Sequence, residues 1–396
     1  MTLLPLYVLA HFGHHLLTAL PVPMLPYIRN EFNLNFTRSG LVTSAFSLSY
    51  GVGQLPAGWL ADRIGTRVLI TIAILGVAAA GALVGISQTF IMLIVFLVLM
   101  GLMGGGYHPS AAPMISASVE PRQRGRALGI HLLGGGGSFF VAPIVAAAIA
   151  SAWSWRVSFL VLAVPSAVLG IIFFFKLGGQ KQGVHAARIA AEYPAAKPPP
   201  GNVRRLVAFL IFTVTIGGIG FSITGFIPLY LVDHFHVSEQ TAASLISIIW
   251  SAGLWASPIG GYLSDRIGRV KIILAAGTGI GVLVYLLSVV PYGWGIGDLF
   301  YVDGLGIGIL LFFIGVVTYI RMPVSEAFIM SQVSVERRST IYGIYYFATQ
   351  QAGGVFAPLI GMLVDRSGFH TTFLIASGVS VGLAVVCGLF IWDSPE

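Results

Sequence analysis

Gly58-Trp59-Leu60-Ala61-Asp62-Arg63-Ile64-Gly65 returns 203 residues later as Gly261-Tyr262-Leu263-Ser264-Asp265-Arg266-Ile267-Gly268. Each copy closes an apolar run with glycines, an acid and a base, the composition of a tight charged turn at a helix end. One copy alone is an ordinary solvated turn. Two copies in matching places mark an internal duplication. The same offset sets Phe32 over Phe235. Later segments match at a slightly larger offset: Pro109 with Pro323, Gly129-Ile130 with Gly343-Ile344, Ala142-Pro143 with Ala357-Pro358.

The surroundings of the repeat set the solvent. The 396 residues are 56% hydrophobic, 9% charged, with a mean hydropathy of +0.90. A soluble domain carries about a quarter charged residues, so the bilayer is the expected environment. Apolar runs broken by charged or turn-forming clusters predict helices at 3–28, 37–60, 68–86, 90–117, 127–151 and 157–175. A second set falls at 206–232, 241–263, 272–290, 304–331, 341–363 and 371–391. Each run is long enough to cross a hydrocarbon core. Between the sets, 176–205 is polar and holds Pro198-Pro199-Pro200-Gly201. The expected organisation is therefore a six-helix bundle over 1–175, a linker over 176–205 and a second bundle over 206–396. The expected fold is all-α, with twelve transmembrane helices in two pseudo-symmetric bundles.

Loop charge orients the chain. With the N-terminus inside, sixteen Lys and Arg residues fall in inner loops, and four (Arg29, Arg38, Arg156, Arg366) fall outside. That bias puts both termini and the linker in the cytoplasm of a multi-pass cell-membrane protein. Arg321 belongs to neither side. The net charge of +7 lies in short loops between apolar segments, so no nucleic-acid partner is expected. Cys387 is the single cysteine, which excludes an intrachain disulfide. The apolar start at Leu3 lacks a basic n-region and a cleavage site, and reads as a retained first helix.

The doubled Gly-x-x-x-Asp-Arg-x-Gly after the second and eighth helices resembles the signature of the major facilitator superfamily, and the resemblance covers the whole chain. It implies two six-helix bundles working by alternating access. It also implies that Asp62, with Arg63, sits beside the start of helix eleven, near Arg337 and Arg338, when the cytoplasmic side is closed. By pseudo-symmetry Asp265, with Arg266, faces the start of helix five near Arg122 and Arg124. A helix N-terminus carries partial positive charge and unpaired N–H groups, so a carboxylate there acts as a latch. A third copy, Gly361-Met362-Leu363-Val364-Asp365-Arg366-Ser367-Gly368, ends helix eleven on the outer side. Inverted three-helix units within each half explain its place. Asp365 is then positioned for an outer latch at Thr37-Arg38-Ser39, with an exposed ion pair as the plainer alternative.

Ionisable groups at membrane depth are costly and point to function. His11, His14 and His15 share one face of helix one, and their repeat counterparts are Val214, Gly217 and Gly218. Helix four carries Gly104-Gly105-Gly106-Tyr107-His108-Pro109, with a break expected at Pro109. The helix-one run from His11-Phe12 through Pro23 and Pro26, with Tyr107-His108-Pro109, is similar to the fosmidomycin-resistance branch of the superfamily. Relatives in that branch tend to have an acidic residue where this chain has His15. The plainer role for these histidines is hydrogen-bonding between helices. Arg321 occupies the place of Tyr107 in the second half, and a guanidinium there needs an anionic partner. Glu326 lies five residues on, on another helix face. Tyr345, Tyr346, Gln350 and Gln351 are further cavity candidates. Ser138-x-x-x-Ala142-Pro143 of helix five and Gly353-x-x-x-Ala357-Pro358 of helix eleven read as close packing.

The expected function is proton-coupled secondary transport of a small organic anion. Arg321 binds charge, and His11, His15, His108, Tyr107, Glu326, Tyr345 and Gln350 bind substrate or carry protons. Efflux of drug-like amphipathic compounds, or a non-transporting sensor role, are the alternatives. No Walker-type loop is present, and no enzyme activity, cofactor or metal is expected. The expected partners are a small-molecule substrate and the lipid bilayer, and the chain is expected to act as a monomer.

Overall fold

The computed structural model describes residues 3–120, 123–177, 202–296, 300–333 and 338–392. The first half holds α1 (Leu4–Thr18), α2 (Leu25–Phe32), α3 (Phe36–Gln54), α4 (Ala57–Ile64) and α5 (Thr66–Gly85). It continues with α6 (Phe90–Gly104), α7 (Tyr107–Ala117), α8 (Arg124–Ala152) and α9 (Trp155–Lys176). The second half holds α10 (Asn202–Phe235), α11 (Glu239–Ser251), α12 (Ala256–Ile267), α13 (Arg269–Leu287), α14 (Leu305–Ser331) and α15 (Arg338–Ile391). A short antiparallel hairpin, β1 (Trp294–Ile296) and β2 (Phe300–Val302), interrupts the otherwise helical chain.

Among the described residues, eight stretches are long and apolar enough to cross a bilayer, and α11 with α12 makes a ninth, bent by 47°. The stretch Ile344–Ile391 counts once there, yet it has 48 residues. At 1.5 Å per residue that is roughly 70 Å of helix, about twice a hydrocarbon core. It folds back at Gly368, where φ is +75°. The α1–α2 and α3–α4 pairs complete the expected set in broken form.

Several expected helix bounds change, helices two and eight being broken between α3 and α4 and between α11 and α12. Helix one is not continuous over 3–28: it breaks between Thr18 and Leu25, where Pro21 and Pro23 withhold N–H donors. Helix four breaks at Gly105-Gly106 instead of Pro109, because Pro109 lies in the first turn of α7, where an N–H has no intrahelical acceptor. Helix seven starts before the expected residue 206, since α10 begins at Asn202. The Pro198–Gly201 run lies outside the described residues.

The duplication is visible in the backbone. Asn33 and His236, 203 residues apart, both take a left-handed conformation, with φ of 50° and 54°. The next repeat pair caps a helix: Asn35 accepts from Arg38 N–H, and Ser238 from Thr241 N–H. Gly65 and Gly268 both turn at positive φ, 88° and 103°. Arg63 lies 4.0 Å from the Trp59 ring and Arg266 lies 4.5 Å from the Tyr262 ring.

The halves meet most extensively along two helix pairs, α3 with α15 and α8 with α11. A Cβ on Gly40 would overlap the backbone of Ala357 and Pro358, and one on Gly354 would overlap Leu48 and Ser47. On α8, a Cβ on Gly136 would sit 3.1 Å from Leu254. The glycine runs on these helices therefore serve close packing.

Candidate functional site

The first half buries a cluster of imidazole and phenol rings. His11, His14 and His15 of α1 are all buried, and α7 brings Tyr107 and His108 against them. Tyr107 stacks on His14 at 4.4 Å and on His11 at 5.3 Å, nearly parallel to both. The His108 ring centre is 5.2 Å from His11 and 5.4 Å from His15. Two members escaped the sequence reading. His131 of α8 stacks on His11 at 4.2 Å, and Tyr50 of α3 lies 3.1 Å from His14 Nε2. His131 gave one weak signal, a lone histidine in an apolar, glycine-rich helix.

Hydrogen bonds fix this cluster. His11 Nδ1–H donates to the His131 carbonyl at 2.9 Å. His131 Nδ1–H donates to the Tyr7 carbonyl at 3.1 Å. His15 Nδ1 meets Thr18 Oγ1 at 2.8 Å. His11 Nε2 and His14 Nδ1 are buried with no partner among the described residues. A Cβ on Gly135 would lie 2.6–2.7 Å from His11 ring atoms, so the α8 glycines make room for the cluster. His11, His15 and His108 are also the described residues whose ring nitrogens lie near enough to share a metal ion.

The second half buries Arg321 on α14, 7% exposed. Its Nη1 donates to Thr213 Oγ1 of α10 at 2.7 Å, and its Nε has no partner. Ser325, one turn along α14, buries its hydroxyl within reach of the Tyr345 side chain. No carboxylate among the described residues pairs with Arg321. Tyr345 is buried within electrostatic reach of Arg321, and Glu326 lies within reach of Tyr345 and Tyr346. Gln350 is exposed. Its neighbour Gln351 instead crosses the seam and donates to the Leu48 carbonyl at 3.1 Å.

The described hydrogen bonds between halves run from mid-bundle to one end. Arg29 donates to both Asp233 oxygens, at 2.5 and 2.6 Å, and Asn30 donates to Glu239. Asp365 accepts from the N–H groups of Phe36 and Thr37, at 2.9 and 2.8 Å, and from the Thr37 hydroxyl. These donors are the first turn of α3, where a carboxylate meets the helix dipole. Nearer the middle, Ser44 donates to the Gly354 carbonyl. At the opposite end Asp265 is exposed and unpaired among the described residues. The side chains of Asp62 and Arg338, and all of Arg337, lie outside the described residues, as do Arg122 and the Arg124 side chain.

Comparison with known proteins gives a consistent result. The family model described as Major Facilitator Superfamily matches residues 7–321 and 210–396. The hexuronate transporter of Bacillus subtilis strain 168 is 25% identical, over 91% of this chain and 88% of its own length. The sulfoacetate transporter SauU of Cupriavidus necator, named as probable, is 26% identical over 94% and 90%. A multidrug resistance protein, MdtG, of Enterobacter lignolyticus is 27% identical over 89% and 82%. Among solved structures, the nucleoside transporter NupG superposes with a TM-score of 0.79 at 15% identity, covering 100% of both chains. A bacterial homologue of the human lysosomal transporter Spinster, inward-facing and occupied, gives 0.71 at 17% identity, covering 98% and 94%.

Proposed function

This chain belongs to the Major Facilitator Superfamily and is a multi-pass secondary transporter, not an enzyme; we propose that its substrate is a small organic anion held by Arg321. One observation carries the proposal. A permanently charged guanidinium is buried with an unpaired Nε, and no described carboxylate neutralises it. A buried, unpaired charge costs several kcal/mol, and a carboxylate, sulfonate or phosphonate meets the need bidentately. Two relatives carry anions by name, a hexuronate and a sulfoacetate. Tyr345 lines this anion site.

The histidines complete the reading. His11, His15 and His108 carry the coupling proton, with Tyr107 packed between His11 and His14 to keep the rings aligned. The loop charge supports a cytoplasmic linker and cytoplasmic termini. On that orientation the Asp365 end is the outer end, and its bonds belong to an inward-facing state. Asp365 latches the outer side; Asp62 with Arg63, and Asp265 with Arg266, latch the inner side in the opposite state. The transporter acts as a monomer without nucleic acid.

The test is a ligand screen on the reconstituted protein, comparing thermal stabilisation by carboxylates, sulfonates, phosphonates and lipophilic cations. Anions stabilise the wild type and lose that effect in Arg321→Ala, with Arg321→Lys intermediate. Stabilisation by lipophilic cations alone favours the second reading, drug efflux, which the multidrug relatives suggest.

A further inference from the structure

The ring nitrogens of His11, His15 and His108 that face one another all lie within 4.8 Å. Their lone pairs are set by what the opposite ring edges do. His11 keeps its proton on Nδ1, bound to the His131 carbonyl, so Nε2 carries the lone pair. That Nε2 is buried and unpaired. His15 commits Nδ1 to Thr18, leaving Nε2 for the cluster. His108 is half-buried and makes no described hydrogen bond. A backbone carbonyl or a hydroxyl behind an imidazole is the support that orients metal-ligating histidines. His14 and His131 fall outside this set of converging nitrogens: His14 Nε2 meets Tyr50, and His131 Nδ1 holds the Tyr7 carbonyl.

We propose that His11, His15 and His108 form a three-imidazole site for a divalent transition-metal cation. The site comes from α1 and α7, and its second sphere from Thr18 and His131. Bonds of 2.0–2.1 Å in a tetrahedral site place nitrogens roughly 3.3 Å apart, so the rings close by no more than about 1.5 Å on binding. That is a rotamer adjustment, not a refolding. The donors are neutral nitrogens, with no carboxylate among them. Calcium and magnesium need oxygen ligands and are excluded. Zinc, cobalt, nickel and copper accept imidazole. Three protein ligands leave a fourth position open to water or an anion, unlike a closed structural site. The proposal adds a metal to lone pairs otherwise assigned to protons, and metal binding is read without any transport assay, so its failure leaves the proton role and Arg321 untouched.

The experiment titrates tag-free, detergent-purified protein with cobalt(II) chloride and follows visible absorption. Binding of one equivalent gives the intense band of tetrahedral cobalt, which zinc chloride displaces and magnesium or calcium chloride does not. His108→Gln removes the band while the melting temperature stays near wild type, since His108 makes no described hydrogen bond that its loss would orphan. Thr18→Val, which frees the His15 ring, weakens binding by about ten- to a hundredfold. Absence of the band overturns the proposal. So does a band that survives His108→Gln, or one that disappears only when His234 and His236 at the end of α10 are replaced.

Discussion

Arg29 donates both terminal nitrogens to the two Asp233 oxygens, tying α2 of one half to α10 of the other in fork-to-fork geometry. The pair is partly exposed, with side chains 14% and 31% accessible. It therefore contributes about 1 kcal/mol, the upper range for pairs open to solvent. Asp233→Asn is expected to raise the fraction of molecules open at this end about fivefold. Spin labels at Ile86 and Val289, both exposed and in opposite halves, report the opening as a longer distance population in a Cys387→Ser background. The exchanged pair Arg29→Asp with Asp233→Arg restores the short distance. An unchanged distribution in Asp233→Asn refutes the gate.

Asp365 caps the first turn of α3 from the other half. A carboxylate at a helix N-terminus contributes about 0.3–1 kcal/mol. Asp365→Asn keeps the shape and loses the charge, and is expected to shift the same distance distribution by about two- to fivefold. High salt is expected to reproduce part of the shift in the wild type, because the contact is exposed. A salt-independent wild type together with a silent Asp365→Asn means an ordinary turn.

Ser325 buries a hydroxyl one turn from Arg321 and within reach of the Tyr345 side chain. A neutral hydrogen bond contributes about 0.5–1.5 kcal/mol. Ser325→Ala is therefore expected to lower the melting temperature of the ligand-free protein only slightly. Anion affinity is expected to fall several-fold in the same variant. Equal affinity in both proteins places the anion elsewhere.

Gly135 and Gly129 lie on one helix and predict opposite outcomes. A Cβ at Gly135 would collide with the His11 ring, whereas nothing lies within 4 Å of one at Gly129. Gly129→Ala is expected to stabilise α8 by about 0.5–1 kcal/mol through reduced backbone freedom. Gly135→Ala is expected to displace His11 and abolish proton-coupled transport while the protein still folds. Full transport in Gly135→Ala removes His11 from the mechanism.

The sequence made the spans and the duplication legible because lipid imposes a simple rule and the Asp-Arg turn is local. Asp365 was legible for the same reason: its motif repeats and its partner is a helix start. The breaks were harder to read. Pro21, Pro23 and Gly105-Gly106 before Tyr107 all interrupt helices, but hydropathy stays high across each gap. Contacts between distant segments were hidden. His131 reaches His11 from 120 residues away. On helix eleven every face is largely apolar, so nothing local told Gln350 from Gln351. Arg321 was read from charge alone, while its partner Thr213 was not foreseen.

The seam between α3 and α15 carries a last consequence. Ser44 and Gln351 spend their hydrogen bonds on carbonyls of the facing helix. When the helices part, both side chains lose those acceptors, and a lipid tail offers nothing in return. The gap must fill with water as it forms. Opening is thus a wetting event: hydration and separation rise together, and a dry intermediate is disfavoured. The rate of gating then follows how readily water enters a slot lined by small residues, so drying the slot with an apolar replacement at Ser44 slows the cycle without touching substrate.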